Sequence, residues 1–187
     1  MEITESIEVK TREEWRAWLQ DHYQSKQEIW LIFNKKSSGK ARIAYNDAVE
    51  EALCFGWIDS QTRRIDEVRY AQRFSRRKPG SSYSQANKER LKWLMGRGLV
   101  VPAVLEEISG LVWEEAVMPE DIIEAIKQNP EAWKNFQAFS EAYKRIRIAY
   151  IEGARQRPAE FKKRLAHFIA KTAQNRLIGY GGINRYY

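Results

Sequence analysis

The amino-acid sequence predicts an α+β protein: a small, mainly antiparallel sheet in the N-terminal half, covered by helices, and an all-helical C-terminal half. Three observations predict it. The segments that read as strands all lie before Ser75. Beyond Ser75 the apolar residues recur at spacings of three and four instead, the period of a helix with one buried face. Finally, Pro102, Pro119, Pro130 and Pro158 each stand where the first residue of a new helix is expected, a place where the missing N–H has no partner to lose.

The elements follow in order. Residues 6–10 alternate, with Ile7 and Val9 on one side, and read as a short edge strand. Thr11-Arg12-Glu13-Glu14 is a capping box: the Thr11 hydroxyl can accept from the Glu14 amide, and the Glu14 side chain can reach back. Trp15, Trp18, Leu19 and His22 then mark a helix of about three turns. Residues 29–33 form an apolar run of strand length that ends in a polar turn over 34–40. A second helix is predicted over 46–55, with Val49, Ala52 and Leu53 on one face and Gly56 as its stop. Residues 57–63 and 68–74 read as two strands around a turn. In the second, Val68, Tyr70, Gln72 and Phe74 share one face, and Arg69, Ala71 and Arg73 the other. A meander of three or four strands results.

Residues 75–82 are a basic loop containing Pro, Gly and Ser. Ser82-Tyr83-Ser84-Gln85 is a second capping box, opening a helix with Leu91, Leu94 and Met95 inward, stopped by Gly96 and Gly98. Asn129-Pro130 starts another helix, with Trp133 and Phe136 behind it, and the last two helices are predicted over 141–156 and 158–178. The best seam is 109–117, but Leu111, Val112, Trp113 and Val117 argue that this stretch packs. The organisation expected is therefore one domain, 1–187. It has a mixed strand and helix part over 1–108, a helical part over 118–178 and a tail, 179–187, that packs back.

Composition bounds the function. With 187 residues, 43% of them apolar and 7 Trp, 9 Tyr and 7 Phe, the chain can build a core, which excludes a disordered protein. A single cysteine, Cys54, excludes an internal disulfide, and two histidines without a cysteine cluster predict no metal site and no cofactor. No run reaches the roughly 18 apolar residues of a membrane span. The acidic N-terminus lacks an apolar signal core, so a cytoplasmic protein is expected. The net charge of +7 is unevenly placed. Residues 1–62 hold 8 basic and 11 acidic side chains, and residues 63–97 hold 11 and 3. Residues 98–141 hold 2 and 9, and residues 142–187 hold 11 and 2. The acidic block is expected to face one or both of its basic neighbours.

The main candidate site is the loop before the Ser82 helix. A helix start presents unpaired amides and partial positive charge. Here Arg76, Arg77 and Lys78 precede it, Gly80 allows close approach, and Ser81, Ser82 and Ser84 add hydroxyls, the composition of a phosphate- or carboxylate-binding corner. Asn87 joins the binding set, while Trp57, Asp59 and Tyr83 shape it. Trp57, Asp59 and Gln61 are placed on one strand face, with Asp59 able to pair with Arg76 or Arg77. The bland counterpart is an ordinary capped helix behind a solvated basic turn, with Trp57 in the core. A small anionic ligand is the partner this reading expects.

Two alternatives stand beside it. A nucleic-acid binder would use Arg63, Arg64, Arg69 and Arg73 with Tyr70 and Phe74, or the arginines 145, 147, 155, 157, 164 and 176. An enzyme would use Cys54 as nucleophile with His22 or His167; against it, Cys54 sits at a helix end rather than a helix start. His22 otherwise meets the C-terminal charge of its own helix, and His167 is half-buried beside Phe168.

The run Glu51-Ala52-Leu53-Cys54-Phe55-Gly56-Trp57-Ile58-Asp59 is the most specific in the chain. It is accompanied by Trp30-Leu31, Lys35-Lys36, Phe74-Ser75-Arg76-Arg77, Ser82-Tyr83-Ser84 with Asn87, and Leu99-Val100-Val101-Pro102-Ala103. Ala170-Lys171 follow near the end. Together they resemble the YdeI/OmpD-associated family, the OmdA or bacteriocin-protection group. The resemblance implies a stress-defence protein with no assigned catalytic residues, a porin partner and a periplasmic site.

Overall fold

The computed structural model describes residues 3–78 and 80–179. It has a four-stranded mixed sheet in the N-terminal half and helices in the C-terminal half, the α+β class expected. The chain divides into two compact units, Met1–Ser82 with Leu94–Ser109, and Tyr83–Trp93 with Gly110–Tyr187. The break after Ser109 falls at the start of the seam read from the sequence. The exchange at 82/83 and 93/94 has no local mark, because Gln85–Gly96 is one uninterrupted helix.

In the first unit, β1 (Ser6–Glu8) is followed by α1 (Arg12–His22) and β2 (Glu28–Asn34). Then come α2 (Tyr45–Cys54) and the hairpin β3 (Trp57–Arg64) and β4 (Arg69–Arg76). Thr11 caps α1 by accepting from the Glu14 amide at 3.2 Å, and Glu14 reaches back one residue further than expected, to the Lys10 amide at 2.7 Å. Gly56, at φ 71°, stops α2 in the left-handed conformation that glycine adopts without a steric cost.

The strand order is β1-β2-β4-β3, with β1 parallel to β2 and the other two pairings antiparallel. This corrects the meander: β4, not β3, lies beside β2. Burial gives the reason. Ala71, Gln72 and Phe74 of β4 are buried, whereas β3 is exposed from Ser60 onward, so the strand with buried side chains takes the centre. Ile29, Leu31 and Phe33 lie opposite Phe74, Gln72 and Tyr70, so these side chains share one face. Helix α1 covers it, with the Trp15 ring 5.4 Å from Phe74 and the Trp18 ring 5.9 Å from Trp57.

A bulge between Asp59 and Thr62 changes the strand's phase. Trp57 and Asp59 keep a common face, but Thr62 rather than Gln61 continues it, donating to Gln72 Oε1 at 2.5 Å. Two arginines then bind α1 to α2. Arg12 pairs with Glu51, with Glu50 at 2.7 Å and with Asp47 at 3.4 Å. Arg16 meets Glu51 at 2.6 Å and the Leu99 carbonyl at 2.8 Å. Glu50 and Glu51 are buried charges that need these partners.

Helix α3 (Gln85–Gly96), most of which belongs to the second unit, and α4 (Pro102–Val112) precede four further helices of that unit. These are α5 (Glu120–Lys127), α6 (Pro130–Ala138), α7 (Glu141–Glu152) and α8 (Pro158–Ala173). Ile122, Ile126, Ala132, Phe136, Tyr143, Ile148, Ile151 and Phe168 form their core, and Ala86 and Trp93 pack on Ile146. Asn129 and Ser140 cap α6 and α7 by accepting from the amides of Ala132 and Tyr143.

Several boundaries differ from the sequence reading. Pro119 is the residue before α5, while Pro102, Pro130 and Pro158 do open helices. Helices α7 and α8 end at Glu152 and Ala173, and Asn175 turns the chain at φ 51°. Of the four apolar residues in the seam only Val112 is buried, because α4 ends there; Trp113 is 61% and Val117 74% exposed. The acidic block meets its neighbours within this unit, through Lys88–Glu114 and Arg155–Asp121, each at 2.5 Å. Among the described residues no helix is long and apolar enough to cross a membrane. The expectation that the tail packs back concerns residues 180–187, which lie outside the described ones.

Candidate functional site

The expected corner has members in both units. In the first, Trp57 is fully buried and its indole N–H donates to the Tyr23 carbonyl at 3.2 Å. Asp59 accepts from the Tyr45 hydroxyl at 2.5 Å and pairs with neither Arg76 nor Arg77. Arg76 donates to the Gln24 carbonyl at 3.3 Å. Arg77 donates to the carbonyls of Ser81 at 3.1 Å and Ser82 at 2.7 Å, so its guanidinium closes its own loop. Ser82 is exposed.

In the second unit the cap of α3 is Ser84 rather than Ser82: its hydroxyl accepts from the Asn87 amide at 3.3 Å, and the helix begins at Gln85. The Asn87 side chain accepts from Arg90 at 2.8 Å, and Tyr83 is half-buried. The structure thus gives most of these polar groups protein partners.

The alternatives have their own geometry. Cys54 is fully buried, and burial, then the nearby Glu51 carboxylate, push its thiol up to about 12 despite Arg16. At neutral pH it is a thiol, the unreactive form. On the sheet, Tyr70 and Phe74 share the face turned to the helices, and the Phe33 ring stacks on Tyr70 at 5.2 Å. Arg69 and Arg73, on the other face, pair with Asp66 and Glu28. Tyr70 and Phe74 therefore cannot stack a base beside those arginines, and Trp30, which does share the face of Arg73, is fully buried.

A cavity of about 400 Å³ lies elsewhere, in the second unit, between α7, α8 and the segment after α8. Its cations are Arg147, Lys163 and Arg164, with His167 beside them and Glu160 as the carboxylate. Ile151, Phe168 and Ile178 supply apolar walls and Tyr150 a phenol ring. Helical spacing explains the convergence: 160, 163, 164, 167 and 168 form one stripe of α8, and 147, 150 and 151 one stripe of α7. The Ile178 amide donates to the Tyr143 hydroxyl at 2.9 Å, which holds the chain after α8 against α7.

Electrostatics inside the cavity are partly balanced. Arg164 donates to Glu160 at 2.8 Å and to the Tyr150 carbonyl at 2.8 Å. That hydrogen bond from Arg164, with the charges of Lys163 and Arg157, holds the Glu160 carboxyl below its usual range. Arg147 is buried, with its guanidinium carbon 5.5 Å from the Tyr143 ring. Lys163 is exposed and has no carboxylate at ion-pair distance among the described residues. His167 is exposed too, not half-buried as its place beside Phe168 suggested. Sequence reasoning grouped Arg147 and Arg164 among the arginines of a possible nucleic-acid surface and His167 apart from them; the i, i+3, i+4, i+7 spacing of 160, 163, 164 and 167 was the signal that joins the α8 residues.

Comparison with known proteins divides the chain at nearly the same place as the geometry. Residues 7–107 match the family model of a domain of unknown function, DUF8412. Residues 115–175 match the model described as Bacteriocin-protection, YdeI or OmpD-Associated (OmdA), the family that the sequence resembles. No curated protein and no solved structure matches. The run Glu51–Asp59 lies inside the first match, and of the residues that carried the resemblance only Ala170 and Lys171 fall inside the second. The cavity's α7 and α8 residues fall inside it as well. With the first match spanning more than half of its 187 residues, the chain belongs to the DUF8412 family, and its helical second half carries the OmdA match.

Proposed function

We propose that the chain is a ligand-binding protein of the bacteriocin-protection kind and that its OmdA-matching half holds a small acidic ligand in the cavity between α7 and α8. The observation that carries this reading is the charge around the cavity: three permanent cations, Arg147, Lys163 and Arg164, against one carboxylate, Glu160. Cations lining a partly apolar cavity, one of them the buried Arg147, attract an anion more strongly than the same charges do on open surface, because the surrounding dielectric is lower. The same chemistry at residues 73–84 has weaker support, since Arg76 and Arg77 donate to backbone carbonyls there. Nothing in this reading requires a reaction, and a stress-defence role would act through binding.

The test is the melting temperature of the full chain in series of carboxylates and phosphates. A ligand bound only by the folded form, at a hundred times its Kd, adds about 2.7 kcal/mol and raises that temperature by several degrees. The Lys163→Ala variant is expected to lose the shift, and Arg76→Ala is expected to keep it. If no anion shifts the melting temperature, the reading fails. If Arg76→Ala abolishes the shift and Lys163→Ala does not, the site is the 73–84 corner instead.

A further inference from the structure

We infer that the tip of the β3–β4 hairpin and the segment after β2 form a docking surface for an anionic lipid membrane. This surface belongs to the first unit and does not depend on the α7–α8 cavity. The first observation is where the charge gathers. The tip carries Arg63, Arg64 and Arg69, and the segment after β2 carries Lys35, Lys36, Lys40 and Arg42. Hydrogen bonds join the two: the Lys35 amide donates to the Val68 carbonyl and its ammonium to the Glu67 carbonyl, each at 2.8 Å. A 3₁₀ turn over Lys36–Ser38, closed by Gly39 at φ 65°, keeps Lys36 beside that anchor. Burial raises the pKa of Tyr70, next to the tip on β4, and the Arg42 charge opposes that rise, which places Arg42 nearby.

The second observation is how little opposes this charge. Asp66 is held within the turn, where it accepts from the amides of Val68 at 2.9 Å and Arg69 at 2.7 Å and pairs with the Arg69 guanidinium. Glu8, on the neighbouring strand, accepts from the Asn34 side chain at 2.6 Å. Lys36, Lys40 and Arg63 are exposed, and among the described residues no carboxylate lies at ion-pair distance from them.

The third is what stands between the cations. Ile65 and Val68, 37% and 38% exposed, flank the turn, which the Ile65 amide closes on the Arg69 carbonyl at 3.1 Å. Branched aliphatic side chains have no partner on a nucleic-acid backbone, and the ring that could stack a base, Tyr70, is half-buried against Phe33. A membrane surface uses both parts. Its phosphates meet the lysines and arginines, each of which strengthens binding about fivefold, and its headgroup boundary takes up the apolar pair.

The experiment is co-sedimentation of the full chain with vesicles of phosphatidylcholine, either pure or with about one third phosphatidylglycerol. Binding is expected to the mixed vesicles and not to the pure ones, and to weaken at least about tenfold in about 0.5 M salt. Lys36→Ala/Arg63→Ala is expected to weaken it about thirtyfold, and Ile65→Ser/Val68→Ser about tenfold, with circular dichroism unchanged. Lys134→Ala/Lys162→Ala removes the same charge from exposed positions of the second unit and is expected to keep most of the affinity. Equal binding to both kinds of vesicle overturns the inference, and so does an equal loss from the two charge variants, which would make net charge the whole cause. If Ile65→Ser/Val68→Ser binds unchanged and a DNA duplex binds as tightly as the vesicles, the surface is a nucleic-acid one and the inference is overturned. No binding to either kind of vesicle overturns it as well.

Discussion

The Arg164 guanidinium lies over the Tyr150 ring, its carbon 3.9 Å from the ring centroid, and the same group donates to that residue's own carbonyl at 2.8 Å. One side chain of α8 thus grips both the ring and the backbone of a single residue of α7, while also donating to Glu160 at 2.8 Å. A planar guanidinium can stack and donate in its plane at once; an ammonium cannot.

Arg164→Lys is therefore not a conservative change. It is expected to lower stability by about 1 kcal/mol, the size of a cation–π contact and a hydrogen bond together after solvent screening. Urea unfolding of the two proteins checks this, and identical midpoints would mean the stack contributes nothing.

Glu89 gives a pH dependence with a definite sign. Its burial favours the neutral acid, but hydrogen bonds from Arg145 and Gln85 and the charges of Arg145 and Lys92 outweigh that and lower its pKa from about 4.5. A carboxyl whose folded-state pKa is lowered stabilises the protein above its unfolded value, and that stability is lost as pH falls through the folded value. Wild-type stability should fall from about pH 4.5 downward, and Glu89→Gln should be less stable at neutral pH with a flatter acid limb. Unfolding midpoints between neutral and acid pH measure both.

The two serines at α3 separate the observed cap from the expected one. Ser84→Ala removes the acceptor for the Asn87 amide and should cost about 1 kcal/mol. Ser82→Ala, at an exposed position before the helix, should stay within about 0.5 kcal/mol of wild type. The opposite order of thermal shifts would restore the capping box read from the sequence.

Cys54 should be silent in the folded protein. With no exposed surface and a thiol pushed up to about 12, it is expected to react with a thiol reagent only as fast as the chain opens. Urea should accelerate labelling by orders of magnitude. Because the unfolded thiol ionises near 9.0 and the folded one only near 12, stability contributed by the buried neutral thiol should decline as pH rises through that window. Rapid alkylation of the native protein would revive a catalytic cysteine.

What was legible in the sequence was local. Thr11 with Glu14, Gly56 after α2, and Asn129 before Pro130 each fix a boundary through a hydrogen bond or a dihedral angle that only neighbouring residues decide. The place of β4 beside β2 was not local: it follows from which strand has side chains to bury, and both hairpin strands alternate plausibly when read alone. The bulge after Asp59 left no mark because one extra residue in a polar strand changes no composition. The cavity was harder still. Lys163, Arg164 and His167 are visibly one stripe, but Tyr150 and Arg147 join them only when α7 and α8 lie side by side.

That bulge has a further effect at the outer edge of the sheet. β3 is the terminal strand on its side, and past Ser60 it offers backbone groups to any extended chain that can match their spacing. The extra residue between Asp59 and Thr62 breaks that spacing halfway along, and Arg63 and Arg64 place two like charges at the far end. A second copy presenting the same strand would meet its own charges and an interrupted ladder, features that disfavour edge-to-edge pairing of two sheets.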